Sequence, residues 1–146
     1  MLKFIENGDI FASKCDFLIN PVNTMGVMGK GLALEFKKRF PLNFARYRKC
    51  CENGSLEIGK ILIVPEYGKA IVNFPTKTHW KESSKIEYII AGLNKLKLAI
   101  DRYNIKSIAF PKIGCGLGNL AWNDVLPLIS AFAEQINQDI LVEIYV

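Results

Sequence analysis

The sequence predicts an α/β fold, a sheet covered by helices on both faces, and three observations carry that prediction. Short β-branched runs alternate with segments of helical periodicity along the whole chain. Half of the 146 residues are hydrophobic, enough for a sizeable core without disulfide or metal staples. Proline, glycine and serine fall at the ends of those runs instead of collecting in a linker, and no internal repeat is visible, so one domain is expected.

The elements follow in order. Lys3 to Ile5 and Phe17 to Ile19 read as short apolar strands. Gly29 to Phe40 reads as a helix with Leu32, Ala33, Phe36 and Phe40 on one face, and Pro41 stops it. Phe44 to Asn53 is a second helix closed by Gly54. "KILIVP" and "AIVNFP" are β-branched runs that each end on a proline, separated by the turn signal "EYGK". Ser83 and Ser84 can cap a long helix running from Lys85 to Tyr103, with Ile86, Ile89, Ile90, Leu93, Leu96, Ile100 and Tyr103 on its apolar face. "SIAFP" is the next strand, and Gly114 to Asn119 the next loop. Asn123 or Asp124 can open a last helix that carries Val125, Leu128, Ile129, Phe132 and Ile136, with Pro127 late enough to suggest a later start. "DILVEIYV" closes the chain as a strand.

Several function classes drop out. No run of apolar residues is long enough to span a membrane, and "MLKFIENGDIF" has no apolar segment of signal length. The four cysteines, at 15, 50, 51 and 115, form no CxxC pair, and the chain has one histidine. A metal site is therefore not expected, and a reducing, cytoplasmic setting is. The net charge of +5 is spread widely apart from the run "KKR" at Lys37 to Arg39, which suits either a solvated basic face or an anionic partner.

Two strand-end loops stand out. One lies in "NPVNTMGVMGKGLA", Asn20 to Ala33; the other is "KIGCGLGNL", Lys112 to Leu120. Each places several glycines between a strand and a helix. Backbone N–H groups can converge there, and a helix N-terminus adds partial positive charge. Ligands of such folds sit at the carboxyl ends of strands, so the pair suits a diphosphate, although each alone could be a tight turn. Neither is a Walker sequence, and "GVMGKGLA" lacks the GxGxxG spacing of a dinucleotide fold.

Four blocks in order, "NGDIF", "INPVNTMGVMGKGLALEFKKRFP", "NFPTKTHW" and "PKIGCGLGNLAW", resemble the macrodomain family of ADP-ribose-binding modules, over nearly the whole chain. The resemblance implies a single macrodomain over residues 1–146, a three-layer α/β/α sandwich with a mixed, roughly six-stranded sheet. Within the family, "VNTMGVMGKG" and "FPTKTHW" look most like the DNA ADP-ribosyl glycohydrolase branch, the antitoxin half of a bacterial toxin–antitoxin pair. The terminal ADP-ribose protein glycohydrolase branch of animals is next. The implied partners are ADP-ribose, or ADP-ribosylated DNA or protein, and an ADP-ribosyltransferase toxin. No cofactor, no metal and no membrane are implied, and a monomer is expected.

The resemblance also places residues. Asn23 would hydrogen-bond a hydroxyl of the distal ribose, or else act as a turn asparagine bonding its own backbone. Gly26, Gly29 and Gly31 would let the backbone close over that ribose and its phosphate, with Met25 and Met28 as wall or lid. Ile113, Gly114, Cys115, Gly116, Leu117, Gly118 and Asn119 would wrap the diphosphate from the other side, Cys115 as a small packing residue. Asp9, followed by Ile10, would accept from the adenine amino group or serve as a cap. Phe110 and Tyr145 are candidates for an adenine wall, or for plain core.

Lys77, in "NFPTKTHW", is the residue the resemblance makes catalytic. Its amine could attack C1″ of the ribose if desolvation lowers its pKa, or a cationic Lys77 could stabilise a leaving group. His79 could shuttle a proton or pair with Trp80 to support the loop. The animal branch carries an aspartate where this chain has Gly118, and its absence favours the DNA branch. Glu82 and Glu87 are the nearest carboxylates in sequence, and both are expected to face solvent. Two function classes stand: an enzyme that removes ADP-ribose from a DNA base or an acidic side chain, and a non-catalytic reader of ADP-ribose. A nucleic-acid-binding domain is weaker, because no exposed strand interleaves aromatic and basic residues.

Overall fold

A computed structural model describes residues 1–146. Six strands form one sheet: β1 (Leu2–Ile5), β2 (Phe17–Asn23), β3 (Leu62–Glu66), β4 (Lys69–Lys77), β5 (Ser107–Phe110) and β6 (Leu141–Tyr145). Their order across the sheet is β1-β6-β5-β2-β4-β3. Every neighbouring pair is parallel except β3 with β4. The β3–β4 hairpin turns on Tyr67 (φ 49°) and Gly68 (φ 76°), the doubly left-handed backbone that matches strand twist. The five parallel strands therefore all end on one edge, at Ile5, Asn23, Lys77, Phe110 and Tyr145.

Helices cover both faces. Helices α3 (Ile86–Arg102) and α4 (Trp122–Gln135) build the larger core, where Ile89, Leu93, Leu96, Ile129 and Phe132 meet Ile19, Val72, Phe74, Ile108 and Val142. Gly92 sits where α3 crosses β4; a Cβ there would come within 2.3 Å of the Phe74 ring, so only glycine allows that approach. Helices α1 (Gly31–Arg39) and α2 (Pro41–Glu52) cover the other face, with Phe36, Phe40 and Tyr47 buried. Pro41 both ends α1 and stands at the start of α2.

Three expectations are corrected. Strands β2 and β4 run on through Pro21 and Pro75 to Asn23 and Lys77, longer than the apolar runs suggested. The reason is one-sided pairing: β5 pairs with β2 only at Phe17 and Leu18, and β3 pairs with β4 only as far as Asn73. Each proline thus sits where one edge of its strand is open and no N–H is required. Helix α4 starts at Trp122 and contains Pro127. Pro127 and Asn123 are both exposed, so the Asn123 carbonyl that loses its helical partner can face water. On α3, Ile90 and Tyr103 are exposed instead of packed.

Candidate functional site

The carboxyl edge of the sheet gathers the loops singled out in the sequence. The β2–β4 register sets their relation. Val22 pairs with Pro75, but Asn23 pairs with Lys77, so Thr76 is an extra residue in β4. This bulge places Lys77 directly beside Asn23, and bulges commonly re-aim side chains at sites. Beyond it, the Thr24 N–H and Oγ1 both donate to the Thr78 carbonyl, at 3.3 and 3.0 Å, and keep the two loops together.

Asn23 is 6% exposed and its side chain wires the first glycine-rich loop. Its Oδ1 accepts from the Met25 N–H at 3.0 Å, and its Nδ2 donates to the Val27 carbonyl at 2.9 Å. The Tyr47 hydroxyl, on α2, lies 2.8 Å from the Asn23 carbonyl and 2.9 Å from its Oδ1. Tyr47 is fully buried, and burial pushes its hydroxyl far above the ordinary tyrosine pKa, so it stays a donor. The turn-asparagine alternative is thus realised, and one of the two N–H groups of Nδ2 makes no bond within the chain. Gly26 and Gly31 have left-handed backbone, whereas Gly29 does not. Met25 is exposed, but Met28 is core: it is 1% exposed, with its sulfur 3.9 Å from Asn20 Nδ2.

The second loop faces the first. A Cβ on Gly31 would lie 3.3 Å from Leu117 Cδ1, so the two loops meet there. The three glycines of this loop do different jobs. At Gly114 (φ 74°) a Cβ would come 2.7 Å from Leu120 and 3.1 Å from Ile89. At Gly118 it would come 2.5 Å from Ser84 Oγ, and at Gly116 (φ 62°) it would meet nothing within 4 Å. Ser84 thus fills the space that a side chain at position 118 would need. The loop after β4 also clasps this one: the Ser84 N–H donates to the Gly118 carbonyl at 2.9 Å, and Asn119 Nδ2 to Ser83 Oγ at 3.1 Å. Cys115 is half-buried and burial raises its thiol pKa, which suits packing and not nucleophilic attack.

Lys77 closes the arrangement. Its Nζ donates to the Trp80 carbonyl at 3.1 Å and to the Leu117 carbonyl at 3.3 Å, so one amine ties the β4 loop to the second glycine-rich loop. Burial lowers its pKa from the ordinary lysine value. His79 lies 5.4 Å from Trp80, ring over ring, and its Nδ1 accepts from the Lys81 N–H at 3.1 Å, which is the loop-supporting arrangement. Glu82 is exposed and accepts from the Thr78 hydroxyl at 2.6 Å.

At the far end, Asp9 caps a short 3₁₀ turn (Ile10–Ala12): one carboxylate oxygen accepts from the Phe11 N–H at 2.9 Å, and its partner oxygen is left over. Tyr145 packs beside Gly8, where a Cβ would lie 3.1 Å from its ring. Its hydroxyl donates to Glu143 Oε1 at 3.0 Å. Sequence reasoning missed Glu143, which also accepts from Ser13 Oγ at 2.8 Å and Cys15 Sγ at 3.3 Å. Desolvation would raise the Glu143 pKa, but these donors and Lys3 outweigh it and hold it low. Beside that carboxylate the buried Cys15 thiol is pushed up to about 11. A carboxylate alternating with apolar residues in "LVEIY" was the available signal. Of the two readings of Phe110, the core one holds: it is fully buried against Phe132 in the α3–α4 core. Ile10 and Ile113 are buried too, so only their backbone can serve a ligand.

Comparison with known proteins places this geometry. The Macro domain family signature matches residues 19–129. The DNA ADP-ribosyl glycohydrolase of Mycobacterium tuberculosis is 44% identical over 141 residues, which cover 93% of this chain and 40% of that protein. The chain therefore spans less than half the length of that curated relative. Among solved structures, the macrodomain of Mycobacterium tuberculosis DarG superposes with a TM-score of 0.94 at 42% identity, covering 99% of this chain and 97% of that one. Thermosipho africanus DarTG in complex with ADP-ribose superposes with a TM-score of 0.90 at 35% identity, covering 98% of this chain and 41% of that one.

Proposed function

The chain belongs to the macrodomain family, and from that premise we propose that residues 1–146 act as one ADP-ribosyl glycohydrolase unit, releasing ADP-ribose from a modified acceptor. The observation that carries this reading is Lys77 beside Asn23, its Nζ held by two carbonyls and its pKa lowered by burial. A neutral amine has two N–H donors for those carbonyls and keeps a lone pair for attack. A module that only holds ADP-ribose has no use for such an amine. The reading follows the relatives named as glycohydrolases and the relative solved with ADP-ribose.

The adenine end is formed by Asp9, Ile10 and Tyr145, and the diphosphate lies between the glycine-rich loops, where the N–H groups of Gly114, Gly116 and Leu117 are left over while those of Cys115, Gly118 and Asn119 bond within the loop. The distal ribose takes the free N–H of Asn23 beneath Gly26, Gly29 and Gly31. Lys77 Nζ attacks C1″, and the bond from C1″ to the acceptor breaks; the acceptor leaves with the bonding pair and gains a proton. Opening of the ribose leaves an imine on Lys77. Water adds to it, ADP-ribose departs, and the amine is restored. A DNA base is favoured over a protein carboxylate as acceptor, because Ser84 occupies the space a carboxylate side chain at position 118 would need and the relatives at 41–44% identity are named as DNA enzymes. An ADP-ribosyltransferase must supply such a substrate.

Release of ADP-ribose from modified DNA and from ADP-ribosyl-glutamate protein tests this. Lys77→Ala is expected to lose release by roughly a hundredfold or more, the scale on which single catalytic groups act, with ADP-ribose binding retained. Lys77→Arg keeps the charge but stays protonated, so it should be equally inactive, and borohydride should trap an adduct only with lysine. Activity in the arginine variant would overturn nucleophilic attack. Absence of release by the unaltered protein from both substrates would leave a reader in place of an enzyme.

A further inference from the structure

The outer side of the first glycine-rich loop borders a cavity of about 370 Å³. We infer that this groove holds the single-stranded DNA next to the modified base; this rests on the reading that the site acts on DNA-borne ADP-ribose. Met25 and Val27, both exposed, form one wall, and Lys37, Phe44 and Arg48 form the other, with Glu52 at its end. The volume lies at the small end of the roughly 300–1,000 Å³ range of ligand clefts, so it suits one nucleotide at a time.

Charge and chemistry select this occupant. Residues 31–52, the two helices behind the groove, hold six cations and two acids, a net +4 out of the chain's +5. The charge is therefore concentrated on this side and not spread, contrary to the first impression of the sequence. Lys37 Nζ lies over the face of the half-buried Phe44 ring, 4.5 Å from its centre, and Arg48 stands one turn further along α2. A base entering the groove takes the place of the flexible Lys37 amine on that ring, and the amine turns to a phosphate; an aromatic face flanked by cations is how single strands are held without sequence readout. The two apolar side chains opposite supply a second surface for the base. The groove and the site share a wall, because the loop that borders the groove is the one Asn23 fixes from within. A strand attached at C1″ need only pass over that loop to enter it.

Fluorescence anisotropy with an unmodified single-stranded oligonucleotide tests the groove without turnover. The double variant Lys37→Ala, Arg48→Ala should bind about tenfold more weakly, and its log–log salt slope should shrink by about 1.4, about 0.7 for each phosphate no longer neutralised. Glu52→Gln removes the carboxylate 3.2 Å from Arg48 Nε and should tighten binding. Lys95→Ala with Lys106→Ala removes the same charge from exposed positions away from the groove and should change little. Equal loss in that control, or none in the groove variant, overturns the proposal. So does equal competition by an acidic peptide, which would mean the surface reads charge alone. In release assays, the groove variant should raise KM for an ADP-ribosylated oligonucleotide while the melting shift given by free ADP-ribose stays the same. If the unaltered protein releases nothing, the glycohydrolase reading fails while the anisotropy result still decides the groove.

Discussion

The two glycine-rich loops look alike in sequence and are built on opposite principles. The first, after β2, is held by side chains: Asn23 bonds it from inside and Tyr47 braces Asn23 from α2. The second, after β5, is held by exclusion: Gly114 and Gly118 have no room for a Cβ, and the β4 loop clasps it through backbone and serine bonds. A loop wired by side chains can loosen one bond at a time. A loop fixed by packing either fits or does not.

The sharpest way to break this comparison is a pair of substitutions within the second loop. Gly114→Ala places a methyl 2.7 Å from Leu120 in a left-handed backbone. Overpacking and backbone strain together should cost about 3 kcal/mol, seen in chemical denaturation. Gly116→Val shares the backbone strain but meets no neighbour, so it should cost only about 1–2 kcal/mol in stability. Its branched side chain stands where phosphate must approach, so ADP-ribose affinity should fall more than tenfold, about 1.4 kcal/mol. Equal stability losses would mean that packing does not set this loop. Unchanged affinity in folded Gly116→Val would remove it from the ligand's path.

Lys77 joins the two designs, since it stands beside Asn23 and donates to Leu117. Its lowered pKa gives a signed expectation. The attacking form is the free amine, whose fraction grows as pH rises. The rate of release at low substrate should therefore climb about tenfold per pH unit and level off above the lowered pKa, short of the ordinary lysine value of about 10.4. ADP-ribose binding should not follow that profile. A rate that falls as pH rises through the same range would indicate that the cationic form does the work.

How much of this was legible follows from the same contrast. Glycine after a strand is visible in sequence, so both loops were found, and so was Lys77 in "FPTKTHW". The prolines hid the rest. The strands were read to Ile19 and to Pro75, and only the pairing across the sheet reveals that open edges at Pro21 and Pro75 let them continue to Asn23 and Lys77. The bulge at Thr76 depends on two strands far apart in the sequence and leaves no local mark. Tyr47 and Ser84 act through space as well: one reaches Asn23 from a helix, the other occupies the volume beside Gly118. Phe110 was ambiguous because an aromatic at a strand end fits a wall or a core, and which face it takes is set by the sheet.

Tyr47→Phe is the mildest probe, and it isolates the wiring of the first loop. It keeps the buried ring and removes only the hydroxyl that lies 2.8 Å from the Asn23 carbonyl and 2.9 Å from its Oδ1. Oδ1 keeps the Met25 N–H as a donor, so no acceptor on the side chain is stranded. The loss is then that of one neutral hydrogen bond, about 1 kcal/mol, or about 2–4 °C in Tm for a domain of this size. A core tyrosine with no further part would do only that. If Tyr47 braces the loop through Asn23, ADP-ribose affinity should fall several-fold as well, and more than in Tyr88→Phe, a half-buried tyrosine on α3 away from the loop. Oligonucleotide binding in the outer groove should weaken in parallel, because the same loop walls both surfaces. A drop in Tm with affinity unchanged would show that the first loop holds its shape without α2, and the division between a wired and a packed loop would fall at its weaker half.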